Sequence, residues 1–257
     1  MNNKTAKQIV KSYRLMCALI AVAYVLLLAG LTLLMSVNVM LSMVGIIALA
    51  YTMRIPFEKL RKNTIESVIY EDLDPEKFGE ILSLGVLKKS TRHKMLYYMS
   101  SGKHEEILKF LKDSEQKTRH PIDKCNNLYR EAYVYFERGE YEKLPAIVKK
   151  YNRLVSENPK FAYVLNNFTV FDKFDAFMDD DFEYVVGVCD IDLRGERVKK
   201  QNHKLTKINV GFYRAVSLYK LGQLEEAKQG FRDVIEFAPK MYKAQLSREF
   251  IELIEKQ

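Results

Sequence analysis

Ser217-Leu218-Tyr219-Lys220-Leu221-Gly222-Gln223-Leu224-Glu225-Glu226-Ala227 sets a glycine between two runs of helical apolar spacing, with two acids just after it. Three other segments align with it. They are Tyr97-Tyr98-Met99-Ser100-Ser101-Gly102-Lys103-His104-Glu105-Glu106-Ile107, Val134-Tyr135-Phe136-Glu137-Arg138-Gly139-Glu140-Tyr141-Glu142-Lys143-Leu144 and Asp175-Ala176-Phe177-Met178-Asp179-Asp180-Asp181-Phe182-Glu183-Tyr184-Val185. The turn residues Gly102, Gly139, Asp180 and Gly222 are spaced by 37, 41 and 42. A near-constant period of that length predicts stacked pairs of helices.

Each unit has a legible physical logic. Glycine ends the first helix, where the chain must turn through positive φ, and Asp180 is a tolerable replacement there. Five residues on lie Ile107, Leu144, Val185 and Ala227, and nine on lie Leu111, Val148, Cys189 and Phe231. Offsets of 5 and 9 share one helix face, which predicts a buried stripe on each second helix. Glu105, Glu106, Glu140, Glu225 and Glu226 fall in or beside first helical turns, where the dipole favours acids. The pairs are expected over 88–114, 122–155, 160–190 and 202–237, followed by a polar-faced capping helix from Met241 to Glu255.

These units resemble the tetratricopeptide repeat (TPR) family. The fourth matches best, with Ala215, Gly222, Ala227, Phe231, Val234 and Pro239. The second has Ala132, Gly139 and Tyr141, but Leu144 replaces the usual Ala and Pro159 is displaced; the first and third are degenerate. The resemblance covers about 89–239, with units longer than the family's usual ~34 residues. It implies an all-α solenoid whose first helices line a concave, peptide-binding face.

Counting back from each turn residue finds that face. Thirteen before lie Lys89, Asn126, Asn167 and Asn209; ten before lie Arg92, Tyr129, Val170 and Phe212. Six before lie Leu96, Tyr133, Phe174 and Val216, and three before lie Met99, Phe136, Phe177 and Tyr219. Asn amides can bond a peptide backbone as donor and acceptor, and aromatics supply contact area at low entropy cost. The candidate peptide- or protein-binding set is therefore Lys89, Arg92, Asn126, Tyr129, Tyr133, Asn167, Phe174, Asn209, Phe212 and Tyr219. The alternative is that the aromatics are core and the asparagines solvated. Phe212 and Val216 stand where a carboxylate-clamping member of the family would want polar groups, so that ligand is not expected.

Upstream, the composition changes completely. Leu15 to Met53 is 39 residues without Asp, Glu, Lys, Arg or His. One helix of that length would be about 58 Å long, against about 30 Å of hydrocarbon. Two spans fit, at about 14–35 and 38–54, broken at Ser36-Val37-Asn38; the second is short enough that re-entry is the alternative. Ala21-Val22-Ala23 has the form of a signal-peptidase site, but only six apolar residues precede it after Arg14 and the apolar run continues far beyond it. Gly30 and Gly45, with Ala29 and Ala48, allow close approach, either within the hairpin or between copies.

Charge orients the hairpin. Lys4, Lys7, Lys11 and Arg14 precede it with no acid among them, which is half of the net charge of +8; Arg54, Lys59, Arg61 and Lys62 follow it. Both flanks are expected on the cytoplasmic side. The expected organisation is a basic N-terminus over 1–14, a transmembrane helical hairpin over 15–54, juxtamembrane helices over 55–87 and a TPR-like repeat domain over 88–257. Asp74-Pro75 should start one of the juxtamembrane helices.

Little else carries chemistry. The 33 acidic residues against 41 basic ones leave no concentrated basic face for nucleic acid. Three cysteines make no disulfide framework and have no C-x-x-C spacing. His93, His104, His120 and His203 form no metal spacing, Asp179-Asp180-Asp181 reads as turn and cap, and no phosphate loop or nucleophile motif is present. No catalytic residue, metal, cofactor or small-molecule substrate is expected. Absence of Trp with abundant Lys, Asn and Ile points to an AT-rich bacterial genome. The expected function is a multi-pass adaptor of the plasma membrane, its repeat domain cytoplasmic, binding a protein or peptide. The alternative is an accessory or regulatory subunit of a membrane complex, with the hairpin as its interface.

Overall fold

The computed structural model describes residues 4–34, 39–115, 117–165, 170–194 and 204–256. Every element among them is helical and none is a strand. Contacts divide the chain into two units, Met1–Ser90 and Thr91–Gln257. The expected break at Ser36-Val37-Asn38 lies outside the described residues.

In the first unit, α1 runs from Ala6 to Leu34 and α2 from Val39 to Thr52. The first helix starts earlier than expected because Thr5 and Gln8 form a reciprocal cap. The Thr5 N–H donates to Gln8 Oε1 (2.9 Å) and the Gln8 N–H donates to Thr5 Oγ1 (3.3 Å). The basic N-terminal segment is thus the opening of α1, and Ala6, Ile9 and Val10 are buried. They face the chain that returns through α3 (Arg54–Arg61), a π-helical turn (Lys62–Glu66), α4 (Ser67–Tyr70) and α5 (Pro75–Ser83). Ile65, Val68, Ile69, Phe78 and Ile81 complete a small core. Asp74 caps α5 as expected, accepting from the Lys77 N–H at 3.0 Å, and Arg14 Nη2 donates to the Leu84 carbonyl at 2.7 Å.

Beyond Arg14 no residue of α1 is buried. Leu26 is 67% exposed and Leu33 77%; on α2, Met40 is 81% exposed. Both helices are long and apolar enough to cross a membrane when α2 is taken with the helical residues that follow it to Tyr70. Gly45 packs against Leu31 across the hairpin, where a Cβ would meet a leucine methyl at 2.8 Å. A Cβ on Gly30 would meet nothing within 4 Å. Close approach inside the hairpin therefore belongs to Gly45.

The second unit consists of α6 (Thr91–Ser100), α7 (His104–Ser114), α8 (Pro121–Glu137), α9 (Leu144–Glu157), α10 (Ala162–Leu165), α11 (Val170–Met178), α12 (Phe182–Arg194), α13 (Lys204–Lys220), α14 (Leu224–Phe237) and α15 (Tyr242–Glu255). The four turns share one backbone. Gly102, Gly139, Asp180 and Gly222 have φ of +67°, +72°, +58° and +74°. In each, the N–H one residue later donates five residues back: Lys103 to Tyr98, Glu140 to Tyr135 and Asp181 to Ala176 at 2.9 Å, and Gln223 to Leu218 at 3.0 Å. That is the Schellman closure of a helix. The stripe on the second helices follows the periodicity at seven of its eight positions: Ile107, Leu144, Val185 and Ala227 are buried, as are Val148, Cys189 and Phe231, while Leu111 is half-buried.

The last helix keeps a polar outer face, with Gln245, Arg248, Glu249 and Glu252 exposed, while Lys243, Ala244, Leu246 and Ser247 on its inner face are buried. Tyr242 meets His104 edge-on with ring centroids 5.1 Å apart, and its ring lies where a Cβ of Gly102 would stand. Helix α15 thus touches α14, its neighbour in sequence, and also the turn of the first pair. In an open array each repeat touches only its neighbours; here the last element closes back on the first.

Candidate functional site

That closure decides the fate of the expected binding face. Tyr133 of α8, Phe174 of α11 and Phe212 of α13 are 3%, 2% and 1% exposed. They are interior, a correction to the reading that offered them to a ligand. Phe136 packs beside them, with ring centroids 5.6 Å from Phe174, 5.0 Å from Phe177 and 4.9 Å from Tyr213. Each such contact contributes about 0.5–1.5 kcal/mol beyond burial, so the inner faces of the first helices bind one another. The cavity left among Phe136, Lys173, Phe174, Phe177, Val185 and Tyr213 is about 10 Å³, at the size of a single water.

The other candidates scatter. Tyr129 is half-buried beside Tyr133, and burial pushes its hydroxyl up to about 12. Tyr219 is half-buried, edge-on to Phe250 at 5.4 Å. Asn126 and Asn209 are half-buried on α8 and α13, and Arg92 is exposed on α6. Lys89 is exposed and belongs to the first unit. Asn167 lies outside the described residues. The set is not brought together on one accessible surface.

In place of a ligand the interior holds its own ions. Glu137 and Lys243 have side chains 0% and 2% exposed and form an ion pair. His104 Nε2 is 2.9 Å from the second Glu137 oxygen. The Lys243 ammonium lies over the rings of Tyr133, Phe212 and Tyr213, 4.7, 4.8 and 5.1 Å from their centroids. Burial alone would push the Glu137 carboxyl up; Lys243, with hydrogen bonds from His104, Lys243 and Tyr133, outweighs it and holds the group below its ordinary value. The cluster joins α7, α8, α13 and α15, and it is closed to solvent.

An open groove lies elsewhere, formed by α7, α8 and α9, with a volume of about 640 Å³. That is the size of a ligand or peptide site. Leu108, Leu111, Leu128 and Leu154 make its apolar part; Lys112, Lys124, Lys150 and Arg153 stand among Glu115, Glu131 and Glu157. Arg153 bonds Glu157 at 2.6 Å. Burial raises the Glu131 carboxyl, which Lys150 partly opposes. Asn127 lines the groove and is held in place: its amide donates to Thr118 Oγ1 (3.3 Å) and accepts from Arg130 Nη1 (2.8 Å). Its neighbour Asn126, the expected ligand-facing residue, is half-buried and does not line the groove. The signal for Asn127 was present in Asn127-Arg130, a polar pair at helical spacing.

Burial pushes the Cys125 thiol up to about 12 and the Cys189 thiol up to about 11, the reverse of an activated cysteine. No group of three His, Cys, Asp or Glu among the described residues could hold a metal ion. No family model, curated protein or solved structure matches the chain.

Proposed function

We propose that this chain is a multi-pass adaptor of the plasma membrane, with a TPR-like stack of helix pairs on the cytoplasmic side that binds a segment of a protein partner. The observation that carries this reading is the uncovered apolar length of α1 and α2, where most of the exposed large apolar residues of the described chain are gathered. Exposed apolar surface on that scale needs lipid or protein around it. Basic residues flank both ends of the hairpin, which favours the cytoplasmic side for both. Helix α2 alone rises only about 21 Å, so the second crossing on this reading uses tilt, local thinning or residues past Met53.

The α7–α9 groove is the favoured docking place, because its volume, leucines and mixed charges suit an amphipathic segment. The aromatic inner face serves as the core that shapes it. This relocates binding within the repeat domain and leaves the adaptor role as before.

The test uses the intact protein in its native membrane. A photo-crosslinking residue at Lys124 should capture one partner, and Leu111→Glu should abolish that capture while leaving the protein membrane-bound and folded. Alkaline carbonate should fail to extract the protein. Extraction by carbonate, or a C-terminus open to protease from outside the cell, overturns the membrane reading; unchanged capture by the Leu111 variant overturns the groove.

A further inference from the structure

In the first unit Arg14, Arg54 and Arg61 are committed to partners, while four lysines at the base of the hairpin stand exposed. Arg14 holds the Leu84 carbonyl at 2.7 Å. Arg54 pairs with Glu58, and Arg61 bonds the buried Glu66 at 2.9 Å. Glu58 and Glu66 are the only carboxylates between residues 4 and 70, and those arginines take both. Lys7, Lys11, Lys59 and Lys62 are exposed.

Their placement is set by packing. Lys7 and Lys11 share the outer face at the start of α1, while Ala6, Ile9 and Val10 of the same turns are buried. Along the axis they lie about 12 and 6 Å before Leu15, where the apolar run begins. Lys59 and Lys62 follow Met53, the end of the second apolar run, by about 9 and 13 Å of helix. The same small core holds α1, α3 and the π-helical turn together, so both lysine pairs belong to one collar at the base of the hairpin. Flexible lysine stems can lower or raise each ammonium into the headgroup layer. The field of anionic lipid falls off within about 8 Å of the surface, which these heights bracket.

We propose that this lysine collar is a binding site for the headgroups of anionic phospholipids. The committed arginines shape the unit, and the lysines, as compact point charges, meet lipid phosphate. The proposal rests on the membrane reading above and adds to it the class of lipid.

The experiment takes intact, delipidated protein in detergent micelles containing equal amounts of phosphatidylglycerol and phosphatidylcholine, and measures the lipid retained after gel filtration. Phosphatidylglycerol should be enriched about tenfold at low salt and far less at high salt. The quadruple variant K7Q/K11Q/K59Q/K62Q should retain the two lipids equally, with an unchanged melting temperature, and K7R/K11R/K59R/K62R should keep the enrichment. No enrichment by the native protein, or full enrichment by the glutamine variant, overturns the proposal. Carbonate extraction of the same protein from native membranes is the separate control: protein that stays in the membrane yet shows no lipid preference sinks the collar alone, and protein that washes out sinks the membrane reading.

Discussion

Glu137 of α8 and Lys243 of α15, 106 residues apart in sequence, form an ion pair with almost no solvent exposure. A charge pair so deep is a weak source of stability and a strong constraint on geometry, since neither partner tolerates the loss of the other. Tyr133, Phe212 and Tyr213 around the ammonium tie the same constraint to α8 and α13. The pair is a clasp that joins the last helix to the second helix pair.

Lys243→Met should therefore destabilise the second unit by about 3–5 kcal/mol, by leaving the Glu137 carboxylate buried and unpaired. The double variant K243M/E137Q should recover most of the loss. Chemical unfolding of the intact protein in detergent, followed by near-ultraviolet circular dichroism, reads both effects. A double variant as unstable as the single one would contradict the clasp.

The same pair sets a pH dependence. Glu137 is held below its ordinary value of 4.5 in the folded protein, so its contribution is fully present above that pH and is lost as pH falls through the folded value. The midpoint of unfolding should drop steeply on acidification below about pH 4.5 in the native protein. K243M/E137Q, with no carboxylate to protonate, should show a shallower acid limb in the same titration.

The turn residues rank by surroundings as well as by φ. Gly139→Ala faces open space and should cost about 1–2 kcal/mol for left-handed backbone alone. Gly102→Ala pays the same backbone cost and also drives a Cβ into the Tyr242 ring, 2.3 Å away, so it should cost more and should loosen α15. Thermal melts of the two variants compare them directly.

Asp180 is the one turn residue of the four with a side chain at positive φ. Asp180→Gly should raise stability by up to about 1 kcal/mol, since the cap of the next helix comes from Asp181, whose side chain accepts from the Tyr184 N–H at 3.1 Å. A lower melting temperature for this variant would contradict the assignment.

Cys125 and Cys189 should resist maleimide at neutral pH, because both are buried and their thiols are raised to about 12 and about 11. Intact mass after brief labelling should show neither modified until denaturant is added.

Much of this architecture is local and so could be read residue by residue. A glycine or aspartate at each turn, an apolar stripe at offsets of 5 and 9, and a chargeless run of 39 residues each act over one helix or less. Nearest neighbours in the chain set them: backbone sterics at Gly222, periodicity on α14, and the bare solvation cost of Leu15 to Met53. The cap of α1 was equally local, written in Thr5-x-x-Gln8.

What the chain alone could not supply was the side of each helix that ends up covered. Tyr133, Phe174 and Phe212 have the spacing of a binding face whether they meet a ligand or one another. That choice depends on how tightly successive pairs turn, and so on whether α15 reaches Gly102 and Glu137. Curvature is the sum of small rotations at every helix contact, and no short motif encodes it. Helix pairs, their turns and an apolar double segment follow from contacts within one or two turns of chain; the filling of the inner face by its own aromatics, and the opening of a groove along α7, α8 and α9, follow from packing between helices far apart in sequence.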